Sequence, residues 1–211
     1  MPTELRGASL ATSALSTFEI TQSGIDLAKF KGTVFESTRM FTEETFGPEA
    51  VERVLRELDA SDREVLQHMH TIGWYPVEPV LSYMHALDRI YGKSDLDVCT
   101  RAGHYSAGWS MNTVLKVFLR FKSPLWLVDR ATSVWNRYHD TGKWNVQPVN
   151  SAELLGELRD FAVRDVAFCA RLRGWLQGAI ELTGGEGATV TELRCTSRND
   201  DHCAFALEWK S

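Results

Sequence analysis

Apolar residues recur at helical spacing through the first two thirds of the chain and switch to short alternating runs in the last third. After Gly47-Pro48, a reset that suits a first helical turn, Val51, Val54, Leu55 and Leu58 fall on one helical face. Ser61-Asp62-Arg63-Glu64 has capping-box order and predicts a second helix at once. Val80, Leu81, Met84, Leu87, Ile90 and Tyr91 predict a helix ending near Gly92, and Ser94 is expected to cap the next one, which carries Cys99 and Ala102 toward His104. Val114, Leu115, Phe118 and Leu119 predict a further helix. Ser123-Pro124 opens another, with Leu127, Ala131, Val134, Trp135 and Tyr138 on its face and a stop at Gly142. Beyond it, Trp144–Val149 and Ala152–Leu158 read as strands, Arg164–Leu182 as a long helix, and Ala188–Cys195 with Cys203–Trp209 as a closing hairpin. Near the start, Phe41–Phe46 reads as a short helix, while Lys31–Ser37 fits the start of either a strand or a helix.

Strands segregated from helices predict an α+β fold, a helical layer packed on an antiparallel sheet of about four strands with a C-terminal hairpin. Residues 1–24, rich in Ser, Thr and Ala without a clean period, read as a flexible arm with one strand around Thr17–Thr21; residues 25–211 read as a single domain. At 211 residues the chain can bury a core without staples. A net charge of -5, scattered along the sequence, argues against nucleic acid or an anionic membrane as partner. No run of apolar residues is long enough to span a bilayer and the first residues lack a cationic leader pattern, so a cytoplasmic location with reduced thiols is expected.

The pattern that asks for chemistry is Cys169-x22-Glu192-x2-Cys195-x7-Cys203. The polar stretch Thr196–His202 reads as a hairpin turn, which puts Cys195 and Cys203 at facing strand ends, roughly 4.5–5.5 Å apart at Cβ. Cys169 lies in the long helix; packed across the sheet, it supplies a further thiolate for a closed tetrahedral site suited to zinc. Glu192 precedes Cys195 by three residues, so a bulge or twist is needed to turn its carboxylate to the thiolate side. The same four residues also fit ordinary core and strand positions, since free cysteine is among the most buried residue types. The long helix is apolar on two flanks, which sandwiches it between the sheet and either the helical layer or a second subunit. Gly174 and Gly178 allow a close backbone approach there, so a homodimer seam is one expectation. His104, Tyr105 and Trp109, interleaved with small residues in Gly103–Trp109, are candidates for a pocket wall together with Trp135 and Trp144. The histidines form no triad or zinc-hydrolase spacing, and no phosphate-binding glycine loop occurs, so neither a nucleotide cofactor nor catalysis is expected.

The stretch Phe168–Gly178, with Thr191-Glu192-Leu193-Arg194-Cys195 and Asp200–Phe205, resembles the 4-vinyl-reductase domain, whose superfamily also holds the haem nitric-oxide-binding domains and Bet3-related trafficking subunits. The N-terminal half, through Phe30–Ser37 and Phe46–Ala50, resembles an uncharacterised paralogous family of myxobacterial proteins. The first resemblance implies a structural zinc held by Cys169, Glu192, Cys195 and Cys203 and a small hydrophobic or aromatic ligand bound between helices and sheet. The haem branch's Tyr-x-Ser-x-Arg motif is absent, so haem is not expected. Together these point to a non-enzymatic sensing or adaptor domain whose signal leaves through a protein partner. The competing classes are an accessory protein or enzyme acting on a tetrapyrrole or secondary metabolite, and a ligand-free protein-interaction module.

Overall fold

A computed structural model describes residues 28–113 and 123–210. The expected arm, the strand at Thr17–Thr21 and the helix around Val114–Leu119 lie outside the described residues. The chain enters through a short strand, β1 (Lys29–Lys31), and turns directly into helix α1 (Gly32–Phe46). Helices α2 (Ala50–Arg56) and α3 (Ala60–Gln67) follow, then strand β2 (Trp74–Pro76), which pairs antiparallel with β1. Helix α4 (Glu78–Tyr91), helix α5 (Asp97–Thr113) and helix α6 (Trp126–Trp135) complete the helical part. Strands β3 (Lys143–Asn150) and β4 (Glu153–Arg159), the long helix α7 (Val166–Leu182), and strands β5 (Glu186–Arg194) and β6 (Cys203–Lys210) form the rest. The larger sheet has the order β3-β4-β6-β5, antiparallel throughout, as the α+β reading expects. Among the described residues, no helix is long and apolar enough to cross a membrane.

One face of the sheet is apolar because the strands alternate. Leu154, Gly156 and Leu158 of β4 are buried and stand directly opposite Leu207, Phe205 and Cys203 of β6. Helix α7 packs on this face, with Leu176 beside Leu154, Gly156 and Leu207. Gly156 leaves room for the Trp144 ring, since a Cβ there would lie 2.8 Å from Trp144 Cζ3. The N-terminus of α7 is fixed by Asp165, whose carboxylate accepts the Phe168 N–H at 2.9 Å.

Two expected caps are not used. Helix α3 starts at Ala60, and neither Asp59 nor Ser61 makes a capping bond. Arg63 instead donates to the carbonyl oxygens of Leu55 (3.0 Å) and Leu58 (2.8 Å), satisfying groups that the end of α2 leaves open. Ser94 does not cap α5 either. Ser94 and Leu96 have φ of 58° and 64°, the helix begins at Asp97, and the buried Asp88 carboxylate accepts the Leu96 N–H at 3.3 Å.

The glycines of α7 face the same chain. A Cβ on Gly174 would collide with the carbonyl oxygen of Thr100, and one on Gly103 with that of Arg171; at Gly178 it would lie 2.8 Å from Ala107 Cβ. The seam read from the sequence as open to a second subunit is filled by α5, because small residues on both helices let two backbones meet.

Candidate functional site

Cys169 of α7 and Cys195 and Cys203 at the two ends of the terminal hairpin meet beneath the sheet edge. All three are buried, and their Sγ atoms lie within 4.8 Å of one another. Cys195 Sγ is 3.3 Å from Cys169 Sγ and 2.7 Å from Ser197 Oγ. The turn between the strands is built to hold this geometry. Asp200 accepts the Cys195 N–H at 2.7 Å, a short 3-10 turn runs over Thr196–Arg198, and Asn199 takes the left-handed φ of 69° that returns the chain. Thr196 approaches Cys203 Sγ with both its N–H and its hydroxyl at 3.4 Å. These hydrogen bonds, led by those from the Cys169 and Cys195 thiols, hold Cys203 well below the ordinary thiol range, while Cys169 is pushed up by the same neighbours and by burial. A buried thiolate beside two further thiols is a soft donor set.

The bulge that Glu192 requires is present, as the β5–β6 register slips between Glu192 and Arg194. Glu192 Oε2 pairs with Arg198 Nη1 at 2.6 Å, whereas Oε1 is buried without a hydrogen bond. Burial raises the Glu192 carboxyl above its usual range, with Arg198 opposing and the Cys195 thiol adding to the rise. The carboxylate does not share the 4.8 Å radius common to the three thiols. Cys99, the remaining cysteine, is buried elsewhere against Met84 O at 3.6 Å, and burial pushes its thiol up to about 12.

The five expected pocket residues do not come together. His104, Tyr105 and Trp109 line an open cleft of about 590 Å³ between α5 and α7, with Glu181 and Leu182 on its other side. There His104 Nε2 pairs with Glu181 Oε2 at 2.7 Å. Trp135 and Trp144 sit on the other side of α7, with ring centroids 5.9 Å apart. The residues Gly103–Trp109 are plain helix, and the helical twist turns their aromatic members away from the sheet. Among the described residues, one cavity of about 40 Å³ lies between α6, α7 and the sheet, and another of about 40 Å³ lies among α1, α5, α6 and α7, with Val134, Trp135 and Trp175 lining both. That is far below the roughly 150 Å³ that accepts a benzene ring. Among the described residues, Trp135, Trp144, Phe161, Phe168 and Phe205 pack ring to ring beside these cavities.

Two residues that sequence reasoning passed over stand out at the first of these cavities. His139 is buried in the turn after α6, stacked on Trp135 at 3.7 Å, with Phe30 edge-on at 5.2 Å. Its Nδ1 lies 3.3 Å from Trp135 O, and Nε2 has no hydrogen-bond partner. Burial, then the Arg171 charge, lowers its pKa to about 3. Arg171 of α7 is itself buried and donates to Ser106 Oγ (2.9 Å), Ser37 Oγ (3.1 Å), Thr38 Oγ1 (3.2 Å) and Val34 O (3.3 Å). Burial draws its pKa down to about 10, which leaves it charged at neutral pH. The available signal was an Arg within an otherwise apolar stretch of helix and a His four residues after a Trp, a spacing that puts both rings on one side.

No family model matches the sequence, and no curated protein matches it. Comparison of the fold gives clear likenesses. An H-NOX protein from S. oneidensis in the Fe(II)NO ligation state is 17% identical with a TM-score of 0.69, over 86% of this chain and 99% of that one. The Fe(II) unliganded H-NOX protein from K. algicida is 14% identical with a TM-score of 0.66, over 86% and 97%. Another neighbour, 11% identical with a TM-score of 0.62, is described by haem redox potential and porphyrin distortion. At such identities the likeness establishes the fold. It also overturns the exclusion of haem drawn from the missing Tyr-x-Ser-x-Arg motif, because the architecture is one in which haem is held. The two interior cavities at Trp135 are far smaller than the several hundred Å³ a macrocycle occupies, so the residues as packed there do not fit that group. The chain has the fold of the H-NOX domains.

Proposed function

We propose that this chain is a non-enzymatic ligand-binding domain, a sensor or adaptor, in which a metal ion ties the terminal hairpin to α7 and a small molecule binds between the helical layer and the sheet. The observation that carries the reading is the buried thiol cluster of Cys169, Cys195 and Cys203 with an unpartnered Glu192 oxygen beside it. Three thiolates favour zinc over oxygen-preferring ions. Moving Glu192 onto the ion completes the tetrahedron and leaves no position for a reacting water, which makes the site a clamp. The Cys, Glu, Cys, Cys order supports a 4-vinyl-reductase-like relationship within the shared fold.

The test is native mass spectrometry and metal analysis of protein prepared without chelators, together with its visible absorption spectrum. About one zinc per chain is expected, lost on Cys195→Ser or Cys203→Ser. Less than a tenth of an equivalent in the unaltered protein would refute the clamp, and a Soret band would replace this reading with a haem-carrying one.

A further inference from the structure

The cavity of about 40 Å³ below α1 carries more polarity than its size calls for. Its walls include Thr33, Ser37, Ser110, Tyr138, His139 and Arg171. Thr33 Oγ1 and His139 Nε2 are buried without hydrogen-bond partners. Arg171 is buried in the same wall, and among the described residues no carboxylate pairs with it; the acceptors it reaches are neutral oxygens. A buried guanidinium without a counter-charge, beside polar atoms without partners, is unfavourable unless something fills the space between them.

We propose that this cavity binds a small planar oxyanion, of the carboxylate, nitrite, nitrate or bicarbonate class, between the Arg171 guanidinium and the His139 imidazole. The inference goes beyond the proposed helix–sheet ligand site, since this cavity lies among the helices with no strand residue in its wall. Size agrees: by this measure of volume one water needs about 10–15 Å³, so the cavity takes about three or four non-hydrogen atoms and excludes an aromatic ring. Chemistry agrees as well. Arg171 gives the anion its counter-charge, and the unpartnered Thr33 hydroxyl is a donor of the kind an oxyanion accepts.

Binding brings a proton with it. Before the anion binds, His139 is neutral, with Nδ1 placed to donate to Trp135 O and Nε2 left as an acceptor. An anion facing Nε2 reverses the balance of charge on the ring and favours the imidazolium, which then donates to the anion. The groups that face His139 are Arg171 from α7 and Tyr138 on its own segment, with Asp140, Lys143 and Asp160 around the shallow outer cleft that it also lines. None of the outer groups enters the cavity's wall, so the proton uptake belongs to His139.

The experiment is calorimetric titration of the purified full chain with sodium formate, nitrite, nitrate, bicarbonate and acetate at fixed ionic strength, with chloride as control, followed in parallel by tryptophan fluorescence through the Trp135–His139 stack. At least one oxyanion should bind saturably, one per chain, more tightly as the pH is lowered, with uptake of about one proton measured across buffers of different ionisation heat. His139→Gln should remove the proton uptake and weaken binding roughly tenfold, and Arg171→Met should abolish saturable binding, with metal content unchanged in both. Should Arg171→Met not fold, Thr33→Val and His139→Gln decide the matter. Failure of every anion in the panel, or binding that His139→Gln leaves unaltered, overturns the proposal. The metal clamp is read independently by its zinc content, so either idea can fail alone.

Discussion

Replacing Gly103 by Ala tests the packing on which the whole interior depends. Gly103 lies in the middle of α5, where an Ala would ordinarily stabilise the helix by about 0.5–1 kcal/mol. In this fold its Cβ would collide with the carbonyl oxygen of Arg171 and lie 3.0 Å from Trp175 N, both backbone atoms of α7 that no rotamer change can move. The two helices have to part, an overpacking cost at the upper end of the usual range, about 3 kcal/mol. Net of helix propensity, the loss is about 2 kcal/mol, or about 4–8 °C in Tm for a domain of this length. Gly108→Ala is the internal control: the same helix turns this position to the open cleft, a Cβ there meets nothing within 4 Å, and the variant should gain up to about 1 kcal/mol. Thermal and urea unfolding followed by circular dichroism would measure both. If Gly103→Ala melts at or above the unaltered protein, the helices do not meet as described, and a second subunit again becomes a candidate for that face of α7.

Three further outcomes are expected. Cys203→Ser should lower Tm in metal-replete buffer and speed proteolysis within Thr196–His202, since metal binding is coupled to order in the hairpin; unchanged melting and cleavage would make the cysteines plain core. Asp165→Ala should cost about 1 kcal/mol through the lost α7 cap. It should also flatten a pH dependence, because the hydrogen bond to Asp165 raises His85, so the stability from that pair is full below about pH 6.5 and is lost as pH rises through the folded-state value. His139 works in the opposite direction: with its pKa lowered to about 3 in the fold, it contributes stability above about pH 6.5 that declines as pH falls toward that value, up to about 5 kcal/mol, and His139→Gln should flatten the acid limb of an unfolding curve.

The legibility of this chain divides by the range of the forces that set each feature. The C-terminal elements could be read almost to their ends because alternation in Trp144–Leu158 and Ala188–Trp209 and helical spacing in Arg164–Leu182 are local signals, and the polar turn between Cys195 and Cys203 marks its own position. The bulge at Glu192 was legible as a requirement, since a residue three places from Cys195 cannot share its side without one. Ser61 and Ser94 misled for physical reasons: the helix of Ser61 already starts at Ala60, which places Ser61 inside the first turn, and near Ser94 the Asp88 carboxylate accepts the Leu96 N–H from a neighbouring helix. The scatter of the five pocket candidates has a related cause. His104, Tyr105 and Trp109 have the composition of a ligand wall, and the direction in which α5 presents them is fixed by Gly103 against Arg171 and Gly174 against Thr100, contacts across 68 and 74 positions that no window along the sequence contains.

Helix α7 joins the two sites, and its sequence shows why each sits where it does. Cys169 and Arg171 are two positions apart, about 200° around a helix, so one is turned to the hairpin and the other to α1 and α5. Gly174, one turn further on, brings α7 against α5 closely enough for Arg171 to reach Ser106 and, through α1, Ser37 and Thr38. Asp165 fixes where the helix starts. A shift of α7 along its axis that suited an occupant at Arg171 would therefore carry Cys169 with it, against a hairpin held at both ends by its own cysteines. Such a linkage between the cavity and the thiol cluster would be reciprocal: removing the metal should change anion affinity by the same factor that the anion changes metal affinity. Anion titration of the zinc-loaded and chelator-stripped protein measures that factor, and equal affinities in the two forms would show that α7 carries both sites without coupling them.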